Sequence, residues 1–133
     1  MRSLLLVILI VLIISQHSYG AAAKKGKKEE DPKECEVCIS NLEAIEKLIP
    51  PNKLSDKAAI EKAIGQHCTQ SGFGSDWKPN PALTSPKDVK MCYIFEPIKK
   101  AISTPFATQM PKKKVCMRLK KDNPEICEVK YRK

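Results

Sequence analysis

Apolar positions along this chain follow two regimes: an unbroken run from Leu4 to Ile14, and from Cys35 onward a recurrence at three- and four-residue steps. The second is the spacing of one face of a helix. Cys35, Cys38, Leu42, Ile45 and Ile49 predict an amphipathic helix that Pro50-Pro51 stops. Ser55 is the expected N-cap of a second, whose apolar side runs Ala59, Ile60, Ala63, Ile64 and Cys68 up to Gly72 and Gly74. Residues 71–84 hold Gly72, Gly74, Pro79, Asn80 and Pro81 and read as a long loop, in which Phe73 and Trp77 are either packed or exposed. Ser85-Pro86 opens a third helix, with a hydroxyl to cap it, Pro where no N–H partner is needed, and Asp88 near the positive dipole end. Its stripe is Val89, Cys92, Tyr93 and Ile98, and Pro97 kinks or ends it. Beyond Pro105, Met110-Pro111 starts a helix with Val115, Cys116 and Leu119 inward, and Asn123-Pro124 opens a last turn carrying Ile126, Cys127 and Val129. With no strand pair expected, four or five helices make an all-α bundle.

The Leu4 to Ile14 run follows a positive start at Arg2 and precedes a short polar stretch with small residues at Ser18 and Gly20. These are the parts of a secretory signal peptide over residues 1–20. Eleven apolar residues at about 1.5 Å each fall short of a bilayer core. Residues 21–34, with five lysines, four acids and nothing apolar beyond the opening alanines, are expected to be a flexible charged tail. The folded domain is then 35–131.

Secretion sets the meaning of the cysteines, because an oxidising compartment lets thiols pair and stay paired. All six, Cys35, Cys38, Cys68, Cys92, Cys116 and Cys127, follow the predicted cleavage point, an even count that implies three disulfides and leaves fifteen connectivities open. Cys35-x-x-Cys38 reads as a redox centre, half of a zinc site or two structural half-bridges, and the last is favoured. A redox pair belongs in a thioredoxin-like βαβ pattern, and zinc would need a second close pair, which Cys116 and Cys127 do not form. On a helix, positions i and i+3 share a face, so Cys35 and Cys38 are able to reach one partner segment. Nested pairing of 35 with 127 and 38 with 116, leaving 68 with 92, is the expected connectivity. No Asn-x-Ser/Thr acceptor is present at Asn41, Asn52, Asn80 or Asn123.

The whole chain is 133 residues with 24 Lys+Arg against 15 Asp+Glu, net +9. That length fits one domain and excludes a large catalytic architecture, while the periodic apolar residues exclude disorder throughout. Residues 35–98 carry seven bases and eight acids, whereas 99–133 carry eleven bases and three acids, so the charge belongs to one end. Lys112, Lys113, Lys114, Arg118, Lys120 and Lys121 fall within ten residues without an acid, and Lys99 and Lys100 add to them. Such a cationic helix face is either a solvated surface or a site for anionic lipid headgroups or sulfated glycans. Nucleic acid fits poorly, with aromatics at 5% and no stacking platform. No catalytic set converges: His17 lies in the signal segment, His67 stands alone, six paired cysteines leave no thiol, and no metal or cofactor motif is present. The protein is not expected to be an enzyme.

The spacing Cys-x2-Cys … Cys … Cys … Cys-x10-Cys on helices resembles the saposin-like fold, whose six cysteines pair first with sixth, second with fifth and third with fourth. Within it, Glu34-Cys35-Glu36-Val37-Cys38-Ile39-Ser40-Asn41-Leu42, Met91-Cys92-Tyr93-Ile94, and Val115-Cys116-Met117-Arg118-Leu119-Lys120-Lys121-Asp122 with Ile126-Cys127-Glu128-Val129-Lys130-Tyr131 resemble one family in particular. It is the mesencephalic astrocyte-derived and cerebral dopamine neurotrophic factor family, in its amino-terminal domain, over residues 34–131. The 23 residues between Cys68 and Cys92 exceed that family's short loop, and the Cys92 to Cys116 stretch is correspondingly shorter. Family members continue into a second Cys-x-x-Cys domain and a retention-like signal, to which protection against ER stress and binding to the luminal Hsp70 chaperone are assigned. This chain stops at Lys133, so that domain and the retention signal are expected to be missing.

The resemblance implies a secreted, monomeric, trophic-factor-like protein exported through the endoplasmic reticulum. It would support neuron survival while its basic face meets anionic lipid, sulfated glycan or a cell-surface receptor. The rival from another class is a cationic saposin-like defence protein that permeabilises microbial membranes.

Overall fold

The computed structural model describes residues 31–132, so the expected signal peptide and most of the expected tail lie outside the described residues. Five α-helices of nine residues or more follow in order: α1 Glu36–Glu46, α2 Lys57–Cys68, α3 Pro86–Phe95, α4 Lys99–Ala107 and α5 Lys112–Lys120. A four-residue turn of helix, α6 Glu125–Glu128, closes the chain. The bundle is all-α and saposin-like in kind, with α1 packed on α2, α3, α5 and α6, and α4 lying along α2 and against α5.

The predicted apolar faces make the core. Leu42 and Ile45 of α1, Ile60 and Ile64 of α2, Val115 and Leu119 of α5 and Ile126 of α6 are all buried. Three disulfides run through it: Cys35 to Cys127, Cys38 to Cys116, and Cys68 to Cys92. The first two tie the start of α1 to the chain's closing segments, Cys35 to α6 and Cys38 to α5, and the third joins the end of α2 to α3. The expectation that one helix carries both cysteines needs correction: Cys38 lies in α1, whereas Cys35 precedes it as the N-cap residue with a left-handed φ of 63°, and both are fully buried. Residues 31–34 are already in place, with Lys130 paired to Asp31 and Lys120 to Glu34.

Several expectations need correction. Asp56, not Ser55, caps α2, its carboxylate accepting from the backbone N–H of Ala58 at 2.9 Å and Ala59 at 3.3 Å. Either side chain is a good cap, and the one next to the first helical residue wins. Pro97 ends α3 through a 3-10 turn at Glu96–Ile98, but α4 then forms across 99–107 with Pro105 inside it. A proline two residues from a helix's end gives up one hydrogen bond and leaves little helix to break. Tyr93, assigned to the inner stripe of α3, is 64% exposed, while Met91 and Phe95 take the buried positions beside Cys92.

The loop after α2 also holds a strand pair that the sequence did not suggest. β1 Thr69–Ser71 and β2 Lys78–Pro79 pair antiparallel, with Thr69 opposite Pro79 and Ser71 opposite Lys78. Between them Gly72 and Gly74 have φ of 74° and 61°, left-handed values that glycine adopts without steric cost. Two strands of three and two residues are too short to show period-two patterning, so only the turn chemistry was legible.

Candidate functional site

The basic residues of α5 divide by what they touch. Lys112 pairs with Glu46 of α1 and lies 5.9 Å from the Phe106 ring centroid, a cation–π contact. Lys120 pairs with Glu34, and the half-buried Lys113 adds to the field that, after the Lys120 hydrogen bond, holds the Glu34 carboxyl below its ordinary range. Lys99 is taken up by Glu96 at 2.7 Å, three residues before it. Lys112 ties α5 to α1 and Lys120 ties it to the segment before α1, while the Lys99 pair is local. Lys100, Lys114, Arg118 and Lys121 are exposed and make no ion pair among the described residues.

The last three of these form a stripe. Positions 114, 118 and 121 are spaced i, i+4, i+7, and a helix of 3.6 residues per turn brings them onto one side. The opposite side is Val115, Cys116 and Leu119, all buried. The Cys38–Cys116 bridge fixes the rotation of α5 about its own axis, and with it the outward direction of the stripe. Three cations without an ion pair, about one helical turn apart, concentrate positive potential on this side of α5.

His67 is half-buried and belongs to a polar chain. Its Nε2 lies 2.8 Å from Asn41 Oδ1, while Asn41 Nδ2 donates to the Val37 carbonyl at 2.8 Å and to Asp88 Oδ1 at 2.9 Å. The Tyr131 hydroxyl donates to the same Asp88 oxygen at 2.5 Å. Burial lowers the His67 pKa, partly offset by the Asp88 charge; burial and the hydrogen bond to Asp88 push Tyr131 up to about 12. Because Asn41 Nδ2 is committed to Val37 and Asp88, its Oδ1 is the atom that faces His67, so Nε2 carries the hydrogen and donates. His67, Cys68 and Cys92 lie close enough to suggest metal ligands, but the two sulfurs are bonded to each other and offer no thiolate.

Asn41, Asp88 and Tyr131 were not nominated from sequence. Their only local signal is an amide at an otherwise apolar helix position, which does not name its partners. The second group missed is aromatic: Phe73, Trp77 and Tyr93, separated by up to twenty residues, line one cleft together with Gly74, Glu96 and Pro97. Among the described residues no helix is long and apolar enough to cross a membrane.

Comparison with known proteins places this domain. The family model described as ARMET, N-terminal, matches residues 34–133. One relative, the mesencephalic astrocyte-derived neurotrophic factor homolog of Caenorhabditis elegans, is 29% identical over 108 residues, covering 75% of this chain and 56% of that protein. The chain thus spans a little over half the length of that relative. The matched segment opens at Glu34, whose carboxylate receives Lys120, and contains all three disulfides. By that match, and by the stapled helical bundle it encloses, the chain belongs to the family of mesencephalic astrocyte-derived and cerebral dopamine neurotrophic factors through its ARMET N-terminal domain.

Proposed function

We propose that this domain acts outside the cell as a neurotrophic-factor-like protein that attaches to anionic lipid headgroups through Lys114, Arg118 and Lys121. The observation that carries the reading is the division of the basic segment. Lys112 and Lys120 are tied to Glu46 and Glu34, while the three residues at i, i+4, i+7 stay outward without an acid. Near an anionic surface each such cation adds about 1 kcal/mol, so the stripe contributes about 3 kcal/mol, roughly a hundredfold in binding that salt would screen. The trophic role is drawn from the family relation, and export from the expected signal peptide.

The membrane-permeabilising alternative has less support. Insertion needs a broad apolar face to enter the acyl region. On α5 that face is Val115, Cys116 and Leu119, which the core already uses.

The test is sedimentation of the protein with vesicles containing an anionic lipid, at increasing salt, for the wild type and for Lys114→Glu/Arg118→Glu/Lys121→Glu. Binding that falls with salt and disappears in the triple variant, without release of entrapped dye, supports the reading. Dye release would favour the defence protein; capture by immobilised heparin but not by vesicles would move the partner to a sulfated glycan. A triple variant that binds as well as wild type and sustains cultured neurons equally would remove the mechanism.

A further inference from the structure

The chain has three Phe, three Tyr and one Trp, and three of these seven rings line a single cleft of about 280 Å³. Phe73 stands at the hairpin tip between Gly72 and Gly74 and is 87% exposed; Trp77 follows the 3-10 turn at Gly74–Asp76; Tyr93 projects from α3. Phe73 and Tyr93 forgo the gain that burial of a large ring brings, because Met91, Cys92 and Phe95 take the buried side of α3, while Trp77 packs partly against the core. We propose that this cleft binds a quaternary or methylated ammonium group, whether in a small free cation or on a choline headgroup.

Four features select that chemistry. Trp77 and Tyr93 meet edge to face, with centroids 5.8 Å apart and planes at 63°, so they form a corner. A flat ligand stacks between parallel rings; a corner suits a compact, rounded group whose positive charge lies against π faces. The volume is below the roughly 300 Å³ at which drug-sized pockets begin, which fits a headgroup and not an acyl chain.

The Trp77 ring is also held in place. Its Nε1–H donates to Thr69 Oγ1 at 2.8 Å, and the Thr69 hydroxyl in turn donates to the Glu96 carboxylate at the cleft wall. That carboxylate supplies negative charge, shared with Lys99 at 2.7 Å, so attraction at the site is modest and rings contribute most of it. Finally, the lining residues all fall between 73 and 97, inside the near-neutral stretch 35–98, and none of Lys114, Arg118 and Lys121 is among them. The site is independent of the α5 stripe.

Trp77 is the chain's single tryptophan and reports on the cleft directly. Its fluorescence is to be followed during titration with choline, phosphocholine and 3,3-dimethylbutan-1-ol, the uncharged carbon counterpart of choline, at constant ionic strength. A saturable change at roughly millimolar choline is expected, with the uncharged alcohol and the variants Phe73→Ala and Tyr93→Ala each weaker by roughly fivefold. Both rings are exposed, so circular dichroism should show the variants folded as wild type. Lys114→Glu should leave the titration unchanged, which separates this site from the lipid reading above. Competition by phosphatidylcholine vesicles would assign the headgroup to a membrane; its absence would assign a free cation. No saturable response, an equal response to the alcohol, or an unaffected Phe73→Ala would overturn the proposal.

Discussion

His67 of α2 donates through Nε2 to Oδ1 of Asn41 on α1 across 2.8 Å, and Asn41 is 2% exposed. With its two amide hydrogens committed to Val37 and Asp88, Asn41 links three helices by one side chain. Tyr131 extends the chain of bonds to the C-terminal segment through the same Asp88 oxygen. A buried amide with its partners satisfied holds helices in one relative position, because any shift would leave a polar group unpaired.

Replacing Asn41 with Ala should therefore cost about 1 to 3 kcal/mol, the penalty for leaving His67 and Asp88 without their partner. Urea denaturation would measure it. A midpoint equal to that of wild type would mean that solvent takes over all three bonds.

Stability should also respond to pH through His67. Burial holds its pKa below the ordinary 6.5, so just below pH 6.5 the folded protein binds fewer protons than the unfolded chain. Its contribution is complete above pH 6.5 and is lost as pH falls through the folded-state value. Asp31 and Glu34, lowered by Lys130 and Lys120 from 3.8 and 4.5, act in a more acidic window. Thermal unfolding between pH 7.5 and 5 should show a decline in wild type that His67→Gln largely removes; parallel curves for the two proteins would refute it.

The disulfides should differ in weight. Cys35–Cys127 spans 92 residues and Cys68–Cys92 spans 24, so the chain-entropy treatment assigns about 4.6 and about 3.4 kcal/mol. Paired Ala replacements at 35 and 127 should lower the melting temperature more than those at 68 and 92. The reverse order would mean that native contacts, not loop closure, set the difference.

Two glycines in one hairpin should respond unequally to alanine. A Cβ on Gly72 would lie 2.2 Å from the Asp76 carbonyl oxygen, whereas one on Gly74 would meet nothing within 4 Å. Gly74→Ala then costs only the left-handed backbone, about 1 to 2 kcal/mol. Gly72→Ala costs more and must open the turn, which a red shift of Trp77 emission would report. Equal melting temperatures for the two variants would contradict the tight turn.

Much of the candidate site was legible because it is local. Positions 114, 118 and 121 share a side by helical geometry alone, and Val115, Cys116 and Leu119 mark the inward side in the sequence. What the sequence could not tell is which lysines are already paired: Glu34 and Glu46 lie 86 and 66 positions from Lys120 and Lys112. Only their meeting in space reduces the basic segment to a three-residue stripe. The aromatic cleft was hidden for the same reason, its rings arriving from a loop tip, a 3-10 turn and a helix.

The amino-acid order by itself determined the all-α class, the inward faces of the helices and the proline and N-cap punctuation, since these depend on neighbours within a few residues. It also carried the resemblance of the cysteine-bearing segments to one family. Tertiary structure decided the strand pair after α2, the continuation of α4 through Pro105, the outward turn of Tyr93 and the buried contact of Asn41 with His67. Each of those depends on which distant surface a segment packs against, and packing free energy there outweighs the weak local preference.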